Sequence, residues 1–118
     1  MPITESVDDN RLHKFLDKSL YSGLIRLHVL HHAVHEPIFG LGIMEELSRH
    51  GYKLSPGTLY PLLHGMETAG ILKSREKWSN GRRRLIYRAT PSGRRALRMA
   101  KEKVKELFGE LFEEEEKR

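Results

Sequence analysis

The sequence predicts a mainly α-helical domain with one small β-hairpin. Three observations carry this. The run Ser55-Pro-Gly-Thr-Leu-Tyr-Pro-Leu-Leu63 reads as a helix start. Two β-prone runs, Leu72 to Trp78 and Arg84 to Ala89, are joined through Ser79-Asn80-Gly81. Asn-Gly is the strongest two-residue hairpin signal, because both positions take positive φ readily. A long amphipathic pattern then opens at Thr90-Pro91. Helix, turn, capped helix and basic hairpin, in that order, is the plan of a winged helix-turn-helix. Here it is flanked by an N-terminal and a C-terminal helix.

Each element has its own signal. Residues 1–7 are expected to form a disordered tail. Asp8 or Asp9 caps a first helix, with Leu12, Phe15, Leu16 and Leu20 along one face. Ser22-Gly23 marks a kink before a second helix, Leu24 to about His35. Pro37 ends that helix, since the residue before a proline is pushed out of helical geometry. A third helix spans about Phe39 to His50 and buries Ile43, Met44 and Leu47, with Gly51 as its left-handed stop. The fourth runs from about Pro56 to Ala69 and stops at Gly70. Ser55 caps it through a side-chain oxygen, and Pro56 suits a first position that needs no N–H partner. Leu59, Leu62, Leu63 and Met66 form its apolar stripe. Its other face holds Gly57, Thr58, Pro61, His64 and Thr68, with Tyr60 beside it. Thr90 and Pro91 cap and open the last helix, which continues to about Glu114. The acidic run Glu113 to Glu116 is the one low-complexity stretch.

Charge narrows the partner. The 118 residues suit one domain with a modest core. No run of 18 apolar residues offers a membrane span, and the N-terminus lacks a basic-then-apolar leader. The absence of Cys fits the cytosol and removes disulfides and thiolate ligands. A cytoplasmic protein without a membrane partner is expected. Net charge is +5, yet residues 73–105 hold 13 Lys or Arg against 2 Glu, a local +11. The remainder is −6. Such asymmetry suggests a polyanion-facing surface. A helix entering the major groove also needs slim polar residues near its N-terminus, and the fourth helix offers them. Double-stranded DNA is the expected partner. Thr58, Pro61 and His64 are the expected base contacts. Ser55 and Tyr60 are expected on phosphates. Lys73, Arg82, Arg83 and Arg84 should hold the hairpin on the backbone or in the minor groove. A non-specific nucleic-acid-binding module is the rival reading of the same surface.

The outer helices suggest assembly. Leu97, Ala100, Val104, Leu107 and Leu111 recur at heptad spacing, and Phe108 and Phe112 widen the stripe. A three-helix winged domain has little room for it. The first helix offers a second surplus stripe through Leu12, Phe15 and Leu16. A two-fold homodimer packed through these helices accounts for both. The expected division is therefore tail 1–7, DNA-binding domain 8–90, and dimerisation helix 91–118.

No catalytic constellation is present. There is no Cys nucleophile, no Gly-x-Ser-x-Gly, and no Gly-x-x-x-x-Gly-Lys after a strand. An enzyme is not expected, and no cofactor is required. The histidines stand apart. His28, His31, His32 and His35 form one helical stripe. His28 with His32, or His31 with His35, has the i, i+4 spacing of a divalent-metal pair. Glu36 or a partner subunit is a candidate third ligand. Packing and hydrogen bonding in the dimer core is the plainer account of the stripe, and proton sensing is a further reading. Trp78 ends a hairpin strand, where it either stacks on a planar effector or covers the hairpin base; it is assigned no site.

The combination Ser55-Pro-Gly-Thr-Leu-Tyr-Pro61, Gly70-Ile-Leu72, Gly81-Arg-Arg-Arg84 and Tyr87-Arg-Ala-Thr-Pro-Ser-Gly93 resembles the PadR family of bacterial transcriptional regulators. The resemblance covers about residues 20 to 112 and points to the small subfamily with a single C-terminal dimerisation helix. It implies a homodimeric repressor released from DNA by an effector, a small molecule or a metal. Relatives often carry Leu where His28 and His32 stand. They often carry a basic residue where this chain has Gly65, so contact is expected to shift toward Tyr60, His64 and the hairpin.

Overall fold

The computed structural model describes residues 6–113. The first five residues of the expected tail, and the acidic run after Glu113, lie outside them. The order is α1 (Asp9–Lys18), α2 (Leu20–His35), β1 (Ile38–Phe39), α3 (Gly40–Arg49), α4 (Pro56–Thr68), β2 (Leu72–Ser79), β3 (Arg82–Ala89) and α5 (Pro91–Phe108). A π-helical turn, Gly109–Glu113, follows α5. The three strands form an antiparallel sheet in the order β1-β3-β2. The mainly helical winged helix-turn-helix is the observed architecture.

Caps set the helix starts. The Asp8 side chain accepts from the Arg11 N–H at 2.9 Å, and Thr90 accepts from Gly93 at 3.0 Å. Ser55 occupies the cap position of α4, but its side chain accepts no backbone N–H. Instead its hydroxyl faces the Thr58 hydroxyl at 3.3 Å. The Ser55 carbonyl takes the Thr58 and Leu59 N–H groups at 3.0 and 2.9 Å. Gly51 and Gly70 take the left-handed geometry of the expected stops, at φ 90° and 84°. Asn80 and Gly81, at φ 53° and 73°, close the hairpin.

Three boundaries differ from expectation. The break between the first two helices falls at Ser19, whose hydroxyl donates back to the Phe15 carbonyl at 2.7 Å. Ser22 and Gly23 therefore sit inside α2, which runs unbroken from Leu20 to His35. The sequence shows no sign of β1, because two residues become a strand only by pairing Ile38 with Tyr87 and Phe39 with Ile86. Phe39 consequently precedes α3 rather than opening it. The last helix leaves α geometry at Gly109, a residue of low helix propensity.

The core lies between α2, α3, α4 and the sheet. Leu47, Leu59, Leu63, Leu72 and Val29 are fully buried. Each such aliphatic side chain contributes about 1.5–3 kcal/mol relative to an exposed one. Leu97 joins this core through the first turns of α5, so it leaves the seam to which heptad spacing assigned it. Beyond Leu97, α5 projects. The radius of gyration is 17.6 Å, against about 13.5 Å for a compact domain of this length.

One joint ties α5 to α4. The Thr90 hydroxyl donates to the Gly70 carbonyl at 2.6 Å while accepting from Gly93. The Thr90 N–H donates to the Ile71 carbonyl at 3.1 Å. Gly93 packs so closely on that carbonyl that a Cβ would overlap it. Only glycine fits.

Candidate nucleic-acid interface

The interface is built from the free face of α4 and the hairpin beside it. Leu59, Leu63 and Met66 turn into the core. That leaves Ser55, Thr58, Tyr60, Pro61 and His64 exposed. Pro61 lies inside the helix, as its position predicts. Tyr60 is 40 % exposed, and its ring lies over Gly40, where any Cβ would overlap it. The first residue of α3 is thus a flat seat for the tyrosine. Sequence reasoning had no local signal for this contact, which joins positions twenty residues apart.

The hairpin sorts its charges by face. Successive strand residues point to opposite sides. Register pairs Leu72 with Ala89, Ser74 with Tyr87, Glu76 with Leu85 and Trp78 with Arg83. Leu72 and Tyr87 are buried, so this is the inner face. Lys73, Arg75, Lys77, Arg82, Arg84 and Arg88 share the outer face and are exposed. The three expected wing arginines therefore separate. Arg82 and Arg84 point one way. Arg83 points the other, with its guanidinium 3.0 Å from Glu76. Trp78 is 69 % exposed beside the turn and covers no part of the core.

Glu67 fixes the hairpin to α4. One carboxylate oxygen accepts from the Ser74 N–H at 2.9 Å and from its hydroxyl at 2.7 Å. These bonds hold the Glu67 carboxyl below its ordinary pKa, with His64 adding a smaller pull. A groove of about 410 Å³ opens between α3, α4 and the hairpin. Phe39, Gly40, Leu41 and Tyr60 line one side, and Arg82, Arg83, Arg84 and Leu85 the other.

The histidines divide among several neighbours. His28 lies against His50, ring centroids 4.6 Å apart, and edge-on to Tyr52. His32 faces Glu46 at 3.5 Å, and His50 reaches the same carboxylate oxygen at 3.3 Å. Arg49 holds the other oxygen, and its hydrogen bond chiefly keeps the Glu46 carboxyl below its usual pKa. His31 stacks near His35, whose Nδ1 engages the His31 carbonyl at 2.7 Å. Among the described residues, no three His, Asp or Glu side chains gather as a metal-holding group. Burial, then the neighbouring His50, His32 and His31, lowers the His28 pKa. Burial also leads the lowering at His31, followed by His35, His32 and Lys101.

An open apolar groove of about 620 Å³ separates α2 from α5. Leu24, Leu27, His28 and His31 form one wall, and Leu97, Val104 and Phe108 the other. Leu12 and Phe15 of α1 stay exposed, as do Val104, Leu107, Phe108 and Leu111. Leu16 and Ala100 are half-buried. No described helix is long and apolar enough to cross a membrane.

The comparisons agree with this geometry. The family described as "Transcriptional regulator PadR-like family" matches residues 29–99. The chain is 49% identical over 88 residues to Transcriptional regulator Rv3488 of Mycobacterium tuberculosis, covering 75% of this chain and 82% of that protein. Among solved structures, a PadR family regulator from Eggerthella lenta superposes with a TM-score of 0.73 at 27% identity, covering 86% of this chain and 90% of that one. Bacillus subtilis PadR, solved in complex with operator DNA, shares the fold at a TM-score of 0.57 and 16% identity, over 64% of this chain and 46% of its own. The matched span contains the whole of α3, α4 and the hairpin. The chain belongs to the PadR-like family of transcriptional regulators, and its function is regulatory rather than enzymatic.

Proposed function

We propose that this chain is a sequence-specific transcriptional repressor that binds a two-fold operator as a homodimer. The observation that carries it is the exposed, uncharged N-terminal face of α4 beside a cation-covered hairpin, the two locked together by Glu67 and Ser74. A slim polar helix end suits the major groove, and a basic hairpin suits the neighbouring backbone. Thr58, Pro61 and His64 supply base contacts. Ser55, Tyr60, Lys73, Arg82 and Arg84 supply phosphate contacts, and Arg83 contributes less because Glu76 already holds it. The Bacillus subtilis relative, solved on operator DNA, lends support to this reading.

The second copy packs along α1 and the distal half of α5, where apolar side chains stand exposed. An effector, a small molecule or a divalent metal, acts at this seam. His28 and His31 on α2, with Lys101, Glu102 and Lys105 on α5, are the polar groups that line the α2–α5 groove. Selection from random duplexes, with and without added Zn²⁺, tests the reading. The expected product is an inverted repeat with half-sites about 34 Å apart. Thr58→Ala with His64→Ala should relax base preference while keeping salt dependence. Recovery of no preferred sequence, with steep salt dependence, would instead establish a non-specific module.

A further inference from the structure

Trp78 is the only tryptophan of the chain, and no part of the core rests on it. The inner face of β2 is covered at Leu72 and partly at Ser74, and it opens at Glu76. Trp78 lies four residues past Ser74, the point where Glu67 fixes the hairpin. At about 3.4 Å per residue it overhangs that anchor by about 14 Å. Its side chain is 69 % exposed. A single exposed apolar residue is ordinary on a protein surface. The setting distinguishes this one.

Within residues 77–84, Lys77, Arg82, Arg83 and Arg84 are cationic and none is acidic. Register puts Trp78 directly opposite Arg83. Arg83 lines the groove that Tyr60 of α4 shares. The face of the tip that carries the indole thus looks toward the surface that α4 offers to DNA. Lys77, Arg82 and Arg84 stand on the other face of the same strands. Trp78 lines neither this groove nor the one between α2 and α5. A small planar effector would find one ring there and no enclosure, whereas pockets bury most of such a ligand. A duplex needs no enclosure. Its minor groove has two walls, so a tip that enters gives cations to the phosphates and a ring to the sugars and base edges. The indole N–H is a donor only. In the minor groove an A·T pair offers only acceptors, while a G·C pair adds the guanine N2 amino donor. That amino group meets the indole donor with a like group.

We propose that Trp78 reads the minor groove of the same duplex that α4 holds, favouring A·T pairs beside each half-site. It rests on the reading of α4 and the hairpin as one DNA interface. Specificity then has two sources, base contacts from α4 in the major groove and the hairpin tip beside them.

The test uses the duplex recovered by selection, with the pairs flanking each half-site set to A·T, G·C or inosine·C. Inosine lacks the N2 amino group, so inosine·C matches A·T in the minor groove and G·C in the major groove. As the one tryptophan, Trp78 reports on itself. Its emission should change on the A·T duplex, and acrylamide should quench it less. Wild type should bind the A·T and inosine·C duplexes alike and the G·C duplex about tenfold more weakly, the size of one mismatched pair. Trp78→Ala should lose about tenfold on the A·T duplex, as aromatic contacts to nucleic acid do, and should bind all three alike. Emission and quenching that stay unchanged at saturation overturn the proposal. So does inosine·C binding as weakly as G·C, or a Trp78→Ala variant that keeps the wild-type preference. A wild type for which selection recovers no preferred duplex would instead remove the reading of α4 and the hairpin, and this proposal with it.

Discussion

Helices α4 and α5 begin alike and end differently. Each has a proline at its start and an apolar stripe along one side. Yet α4 buries Leu59, Leu63 and Met66 within its own chain, whereas α5 buries only Gly93 and Leu97. The rest of the α5 stripe stands about half exposed, with Val104 at 47 % and Phe108 at 55 %. Amphipathic patterning says that a face will be covered. It does not say whether the cover comes from the same chain. In the proposed homodimer a second copy covers the surplus on α5 and α1, and the helix-turn-helix holds what the single chain needs for itself.

This contrast can be broken at its strong end first. Leu63→Ala should cost about 2–5 kcal/mol, the range for a fully buried leucine that leaves a cavity. Denaturant unfolding followed by circular dichroism should show the loss at every protein concentration. A loss under about 1 kcal/mol, the size expected where a site can collapse or was never packed, would place the core elsewhere. The outer stripe should behave differently. Val104→Asp with Leu107→Asp puts carboxylates into an apolar seam. The dimer dissociation constant should rise at least about a hundredfold, which at 1.4 kcal/mol per decade is about 2.8 kcal/mol. Sedimentation that still shows a dimer would move the seam off α5.

The joint between the two helices offers a finer test. Gly93→Ala should destabilise by about 1–3 kcal/mol, because the Ile71 carbonyl cannot yield to a methyl without backbone movement. A neutral Gly93→Ala in thermal melts would show the joint to be loose. The smallest effect is the pH response of α2. Burial lowers the folded pKa of His28 and His31. The unfolded chain then binds more protons just below pH 6.5, the ordinary imidazole value, so stability falls as pH drops through that window. His28→Asn should flatten the slope just below pH 6.5. An unchanged slope would assign it to other groups.

Local chemistry was legible in the sequence where it decided the backbone. Asn80-Gly81 announced the turn, and Thr90-Pro91 announced both a helix start and its cap. The family resemblance, carried by residues 55–61 and 81–93, matched the comparison over residues 29–99. Contacts between distant residues were not legible. Nothing near Ile38 says that it will pair with Tyr87. Nothing near His28 says that His50, a residue on another element, will stack against it. Heptad counting put Leu97 with Val104, because it registers spacing and not the point at which α5 leaves the core. The separation of Arg83 from Arg82 and Arg84 is different. Period-two alternation alone contains it, once the strands are known to run unbroken to Ser79 and from Arg82.

The Thr90 joint gives the molecule a lever. Its hydroxyl grips the last carbonyl of the α4 stop, and its backbone and Gly93 sit on Ile71. The 18 residues of α5, at 1.5 Å each, make an arm about 27 Å long. A turn of about 10° at the joint then carries the far end of α5 through about 5 Å, as the arm length requires. Read backwards, in the proposed homodimer a small slide between two copies of α5 would be geared down into a few degrees of tilt at α4. Gearing of that kind favours fine angular control at the DNA end over large travel. It also means that whatever wedges the far end of the arm never has to approach the recognition surface.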